Sequence, residues 1–192
     1  MNLICGIDEA GRGPLAGPVT AAAVILPNDF KVELLRDSKK LSPKKRLELS
    51  DLILKTCFFG IGWAFPEEID ELNIHNATLK AMERAYQNLI SEYAGDFFIE
   101  NGIEVIVDGV HIPDIPEKNT RAEIKADDRF PPVMAASILA KTARDLMMER
   151  YGRLYPEYEY PKHKGYPTKL HSELLKKWGP PPIQRKSFNI PR

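Results

Sequence analysis

The sequence predicts an α/β fold: a mixed five-stranded sheet flanked by helices, with a basic helical extension at its C-terminal end. Three observations carry this. Five apolar or alternating runs of strand length are interspersed with stretches of helical periodicity. The first two runs are joined by a glycine-rich connection too short for a crossover helix, so they pair antiparallel. Two runs end on acids, Asp8 and Asp108, and in open α/β sheets ligands gather outside the carboxyl ends of parallel strands.

Residues 2–7 and 16–26 read as the first two strands, linked through Gly11-Arg12-Gly13-Pro14, and Pro27-Asn28-Asp29 closes the second. In the polar loop Asp37-Ser38-Lys39-Lys40-Leu41-Ser42-Pro43, Ser42 suits an N-cap and Pro43 the first helical position. A helix over about 43–55 follows, with Leu49, Leu52, Ile53 and Thr56 at helical spacing. Residues 57–65 form a third strand bounded by Pro66. Ile74, Ala77, Ala81, Met82, Ala85, Tyr86, Leu89 and Ile90 predict an amphipathic helix over about 74–91 whose apolar stripe is core. Ile103 to Asp108 is a strand ending on an acid, as at Asp8, and the two acids meet if these strands lie side by side. Ala122 onward reads as a short strand running into Asp127-Asp128. Pro131-Pro132 leads into a helix over about 133–150, and its Ala135, Ala136, Ser137, Ala140 and Ala143 permit close packing on a sheet. The last helix, about 169–178, is stopped by Gly179 and the prolines at 180–182.

At 192 residues, 43% apolar and 28% charged, the chain is expected to fold as one domain over 1–192, with 160–192 its basic extension. It opens with no basic, signal-like start, and no apolar run approaches a membrane span. Cys5 and Cys57 lack metal or redox spacing, so they are expected as buried, reduced thiols of a cytoplasmic monomer. The net charge of zero conceals segregation. Residues 31–56 carry eight Lys/Arg against four acids, 66–104 two against nine, and 160–192 eight against one. Basic segments that meet in space would form a polyanion footprint.

The stretch Gly6 to Pro18 carries the chemistry. Two adjacent carboxylates at the end of a buried strand repel one another and are costly to desolvate unless a cation or proton neutralises them. The glycines beyond them let a backbone approach a ligand closely, with N–H groups directed at it. The spacing Gly11-x-Gly13-x-x-x-Gly17 is no dinucleotide fingerprint, and no P-loop is present. Carboxylates for a metal beside amides for a phosphate or sugar suggest a phosphodiester site, although acids after strands also serve as ordinary caps.

In chain order, Gly6 through Val19, Asp37-Ser38-Lys39-Lys40-Leu41-Ser42, Val107-Asp108-Gly109, Ala135 through Asp145 and His163-Lys164-Gly165-Tyr166-Pro167-Thr168 resemble the motifs of the type 2 ribonucleases H. The resemblance spans nearly the whole chain. It implies a ribonuclease H-like sheet and an endonuclease acting on the RNA strand of RNA–DNA hybrids and on single ribonucleotides embedded in duplex DNA, as in ribonucleotide excision repair. Cleavage would fall 5′ of the ribonucleotide, leaving a 5′-phosphate and a 3′-hydroxyl.

It further implies that Asp8, Glu9, Asp108 and a fourth acid hold two divalent ions, Mg²⁺ or Mn²⁺, which suit oxygen ligands and would stabilise both ends of an in-line displacement. The family pattern Lys-Gly-Asp falls on Lys125-Ala126-Asp127 and points to Asp127; Ala126 departs from it, and Asp128 leaves an alternative. By the same resemblance Gly11, Arg12 and Gly13 contact the 2′-hydroxyl and adjacent phosphates, Tyr166 packs against the following sugar, and Lys39, Lys40, Ser137 and Lys141 are phosphate-contact candidates. His75, His111, His163 and His171 are scattered without zinc spacing. The segment Pro182 to Phe188 resembles a family segment to which no role is attached, and Gln184 and Lys186 depart from that segment. The sister type 3 enzymes carry an added N-terminal domain, for which no room is expected ahead of residue 6. A binding module that had lost catalysis would not need all four acids. Whether a replication-clamp partner engages the tail is left open.

Overall fold

The computed structural model describes residues 3–35, 42–93 and 102–189. Its strands are β1 (Leu3–Ala10), β2 (Val19–Ile25), β3 (Phe58–Ala64), β4 (Ile103–Asp108) and β5 (Thr120–Glu123). Its longer helices are α1 (Pro43–Thr56), α2 (Pro66–Tyr93), α3 (Pro131–Leu154) and α4 (Lys169–Trp178). The five strands form one sheet in the order β3-β2-β1-β4-β5, with β1–β2 and β2–β3 antiparallel and β1–β4 and β4–β5 parallel. The expected mixed sheet is therefore present, its antiparallel strands first and its parallel ones added after.

The pleat sorts side chains onto two cores. Cys5, Ile7, Ala21, Ala23, Val105 and Val107 pack with the α2 stripe of Ala77, Ala81, Met82, Ala85 and Leu89. On the other face Ala22 and Val24 meet Leu49 and Ile53 of α1 and Ala135, Ala136, Ile138, Leu139 and Ala140 of α3. The small residues of α3 thus seat it close on the sheet. Gly6 takes this furthest, for a Cβ there would stand 2.2 Å from the backbone nitrogen of Val133. Gly6→Ala is expected to destabilise the fold by about 2–3 kcal/mol, lowering the melting temperature by about 5–10 °C in a thermal melt.

Several boundaries differ from expectation, each for a local reason. β1 runs on to Ala10 because Asp8, Glu9 and Ala10 keep pairing with Ala22, Ala21 and Thr20. β2 begins at Val19, since Ala16 bridges to Gln184 instead. α2 starts a full segment early, at Pro66, and is broken at Asn73, whose φ of 67° is non-helical and whose Oδ1 accepts from the His75 and Asn76 amides at 3.0 and 3.1 Å. The last strand lies at Thr120–Glu123 and not from Ala122 onward; Lys125 adopts φ 56° and turns the chain into a short 3₁₀ turn at Ala126–Asp128. Ser42 caps α1 as expected, accepting from the Lys45 amide, and Thr168 caps α4, accepting from the His171 amide. Among the described residues no helix is long and apolar enough to cross a membrane.

Candidate active site

The parallel pairing of β1 with β4 sets Ile7 opposite Val107, so the next residue of each strand, Asp8 and Asp108, stand side by side at the carboxyl ends. Because β1 continues past Asp8, the strand's alternation turns Asp8 and Glu9 to opposite faces. Asp8 lies toward α3, where Ser137 hydrogen-bonds to it, and Glu9 opens into a cleft shared with Asp108 and the start of the long part of α2. The Glu9 amide donates to Asp8 Oδ1 at 2.7 Å, and the Ala126 amide to Asp108 Oδ1 at 2.6 Å. The second bond ties the 3₁₀ turn carrying Asp127 to the end of β4. Asp127 is half-buried and Asp128 exposed.

These acids are electrostatically strained. Asp8 is only 5% exposed, and burial first, then the Glu9 charge, raise its pKa well above the usual carboxylate range. Glu9 is raised too, by burial, with the Arg12 guanidinium 3.4 Å away acting against the shift. Clustered carboxylates that resist ionising are what a bound cation relieves, and an all-oxygen donor set suits a hard ion such as Mg²⁺ or Mn²⁺. Among the described residues no three His, Cys, Asp or Glu side chains form a ready-made metal cage.

Beside the carboxylates a groove is lined by Glu9, Ala10, Gly11, Arg12, Gly13, Ser137, Lys141 and Tyr166. The structure thus gathers six of the residues singled out for substrate contact in one place. Lys39 and Lys40 lie outside the described residues. Lys141 Nζ stands 5.8 Å from the centre of the Tyr166 ring and donates to Asp145 at 2.6 Å.

Sequence reasoning missed what holds the glycine loop. Arg185 is fully buried, and its guanidinium donates to the carbonyls of Gly17 (2.9 Å), Arg12 (3.0 Å), Pro14 (2.8 Å) and Gly11 (2.6 Å). Arg144, equally buried, donates to Pro18, Lys164 and Ala16. Burial and mutual repulsion push Arg185 down to about 9, so it stays charged at neutral pH. With the loop's carbonyls drawn inward onto two cations, Gly11 can adopt φ 99°, and a Cβ there would strike Arg144 at 2.1 Å. The signal was present, since both arginines sit in motifs quoted above. Their role was hidden because their partners are backbone atoms far along the chain.

The Tyr166 loop is held by a stacked imidazole pair, His163 and His171, with centroids 4.3 Å apart. The Gly165 amide donates to His163 Nδ1, leaving its Nε2–H for the Tyr158 carbonyl at 2.8 Å. His171 Nδ1–H donates to the Tyr166 carbonyl at 3.0 Å. Burial, and then His163, lower His171 from 6.5 to about 4. Between those values the unfolded chain holds the extra proton. The stability this neutral ring contributes is therefore complete above pH 6.5 and is lost as pH falls toward 4. Its full size is about 3 kcal/mol. Melts from pH 7.5 to 4.5 are expected to show this slope in the native chain and a shallower one in His171→Gln.

Carboxylates at the ends of adjoining parallel strands, in a sheet with three antiparallel strands ahead of two parallel additions, define a ribonuclease H-like fold. The chain belongs to the ribonuclease HII family, whose model, described as Ribonuclease HII, matches residues 5–190. It is an endonuclease of the ribonuclease H kind. A ribonuclease HII of Treponema denticola is 56% identical, covering 98% of each chain, and one of Caldanaerobacter subterraneus subsp. tengcongensis is 47% identical over 98% of this chain and 74% of its own. Among solved structures, the ribonuclease HII of a PCNA complex from Archaeoglobus fulgidus superposes with a TM-score of 0.76 at 28% identity, covering 99% of this chain and 96% of its own. A Bst ribonuclease HIII in complex with Mn²⁺ superposes at 0.77 over 93% of this chain and 63% of its own; at 18% identity it speaks to the fold alone.

Proposed function

We propose that this chain cleaves the RNA strand of RNA–DNA hybrids and single ribonucleotides embedded in duplex DNA, hydrolysing the phosphodiester 5′ of the ribonucleotide to leave a 5′-phosphate and a 3′-hydroxyl. The observation that supports this most is the continuity of Asp8, Glu9 and Asp108 with the groove lined by Gly11, Arg12, Gly13 and Tyr166. One part of the site suits a cation and the scissile phosphate, the other a sugar.

Asp8, Glu9, Asp108 and Asp127 would hold two divalent ions, Mg²⁺ or Mn²⁺, which when bound supply charge stabilisation to the attacking and leaving oxygens. Asp127 is favoured over Asp128 as the fourth ligand because it is half-buried on the turn tied to Asp108, whereas Asp128 is exposed. Ser137 orients Asp8 through its hydrogen bond. Gly11, Arg12 and Gly13 read the 2′-hydroxyl and flanking phosphates, and Lys141 adds charge beside them. Tyr166, 38% exposed at the groove wall, packs against the following sugar and favours deoxyribose there. The fully buried thiol of Cys5 and the buried thiol of Cys57, both free, suit a reducing compartment such as the cytoplasm, and the activity would serve ribonucleotide excision repair. The PCNA complex of the Archaeoglobus neighbour makes a replication clamp the partner to test by co-sedimentation.

A substrate panel tests the reading. Duplexes carrying one ribonucleotide, and RNA–DNA hybrids, should be cut, whereas all-DNA and 2′-O-methyl duplexes should resist; equal cutting of all-DNA duplex would overturn it. Tyr166→Ala should reduce the ratio of junction cutting to RNA-tract cutting by about tenfold, the scale of one lost sugar contact. An unchanged ratio would remove Tyr166 from the reading.

A further inference from the structure

Spacing leaves His75 and His111 unrelated in the sequence, yet the fold brings their rings to 4.4 Å between centroids at an interplanar angle of 71°. Both line the cleft bounded by Glu9 and Asp108, together with Arg12 and Lys125. His75 stands on the α2 stripe that continues through Thr78, Leu79 and Met82, at the point where this stripe leaves the core and enters the cleft. An apolar side chain would extend the stripe; a hydrogen-bonding ring there is offered to whatever enters. Asn73 already engages the His75 and Asn76 amides at this end of the helix, and the His75 imidazole adds a side-chain donor there. His111 comes from the exposed loop after β4.

We propose that His75 and His111, assisted by Lys125, hold a backbone phosphate of the bound strand next to the one that lies over the carboxylates. This rests on the nuclease reading given above. Each neutral imidazole offers one N–H, and a phosphate has oxygens enough to accept from both rings and from an ammonium together. Two imidazoles also suit a soft divalent cation. Arg12 and Lys125 at the same cleft disfavour that, and no third donor completes a cage among the described residues. Four nitrogen-bearing side chains line this cleft with the two carboxylates and make a surface that accepts a polyanion beside the acids.

The test is binding of a fluorescent duplex with one ribonucleotide, followed by anisotropy across a KCl series, in chelator so that no turnover occurs. The full chain is compared with His75→Ala/His111→Ala, with His111→Ala, and with His75→Gln/His111→Gln. The double alanine variant should raise Kd about three- to tenfold while leaving the dependence of log K on log salt nearly unchanged, because neutral rings release no counterions and Arg12 and Lys125 remain. His111→Ala, on an exposed loop where folding is not at risk, should show part of the same loss, and the glutamine pair, which keeps N–H donors, should recover part of the affinity. Affinity equal to the native chain in all three would overturn the proposal. So would tight Zn²⁺ binding that the variants lose while their affinity for the duplex is unmoved. If the native chain neither binds nor cuts the duplex, the nuclease reading itself fails, which is a separate result.

Discussion

Asp8→Asn is expected to lower cleavage of a ribonucleotide-containing duplex by about a thousandfold or more while leaving duplex binding intact or stronger. The substitution keeps the shape, and its amide oxygen still accepts from the Glu9 amide and Ser137, so the loop and groove are not disturbed. What is removed is one anionic oxygen ligand from the cluster with Glu9 and Asp108. A loss of about 4 kcal/mol of transition-state stabilisation corresponds to the expected thousandfold. Binding behaves oppositely because a buried negative charge facing a phosphate is removed. Stability should behave oppositely as well. Asp8 ionises against burial and the Glu9 charge, so in chelator the asparagine protein should melt higher than the native chain at neutral pH. A variant that bound weakly, or melted lower, would indicate a structural part for Asp8.

Arg185→Ala is expected to have the largest effect on stability, about 3–5 kcal/mol, with loss of activity. Removing the guanidinium leaves the carbonyls of Gly11, Arg12, Pro14 and Gly17 without their donors at the base of the glycine loop. Each buried orphan costs about 1–3 kcal/mol, partly offset when water enters the space vacated. Arg185→Lys keeps the charge but cannot fork to four acceptors, so it should recover only part of the melting temperature and leave cleavage impaired. The discriminating measurement is cleavage at a temperature well below the variant's melting point. Restored native rates there would mean that Arg185 stabilises the fold without positioning the loop.

Much of this arrangement was legible in the sequence. The short link between the first two strands fixed their antiparallel pairing, and acids at the ends of two apolar runs fixed where the sheet would present its chemistry. Strand limits were less legible because pairing partners decide them: Glu9 stays in β1 by pairing with Ala21, and Ala16 leaves β2 by bridging to Gln184. The first turns of α2 were missed because Asn73 breaks the phase of the apolar stripe before the periodic part begins. Arg144 and Arg185 bond to carbonyls 126 and up to 174 positions away, and a backbone oxygen carries no sequence signature. The same holds for His75 and His111, which come from different elements and meet only in the folded cleft.

The most direct measurement is the mapped cleavage of an end-labelled DNA duplex containing one ribonucleotide, with Mg²⁺, with Mn²⁺ and with chelator, for the native chain and for Asp108→Asn. A single cut is expected on the 5′ side of the ribonucleotide, present with either ion, absent in chelator, and lost in the variant. Cutting that persisted in chelator, or in Asp108→Asn at the native rate, would contradict the assignment of hydrolysis to the carboxylates at the ends of β1 and β4.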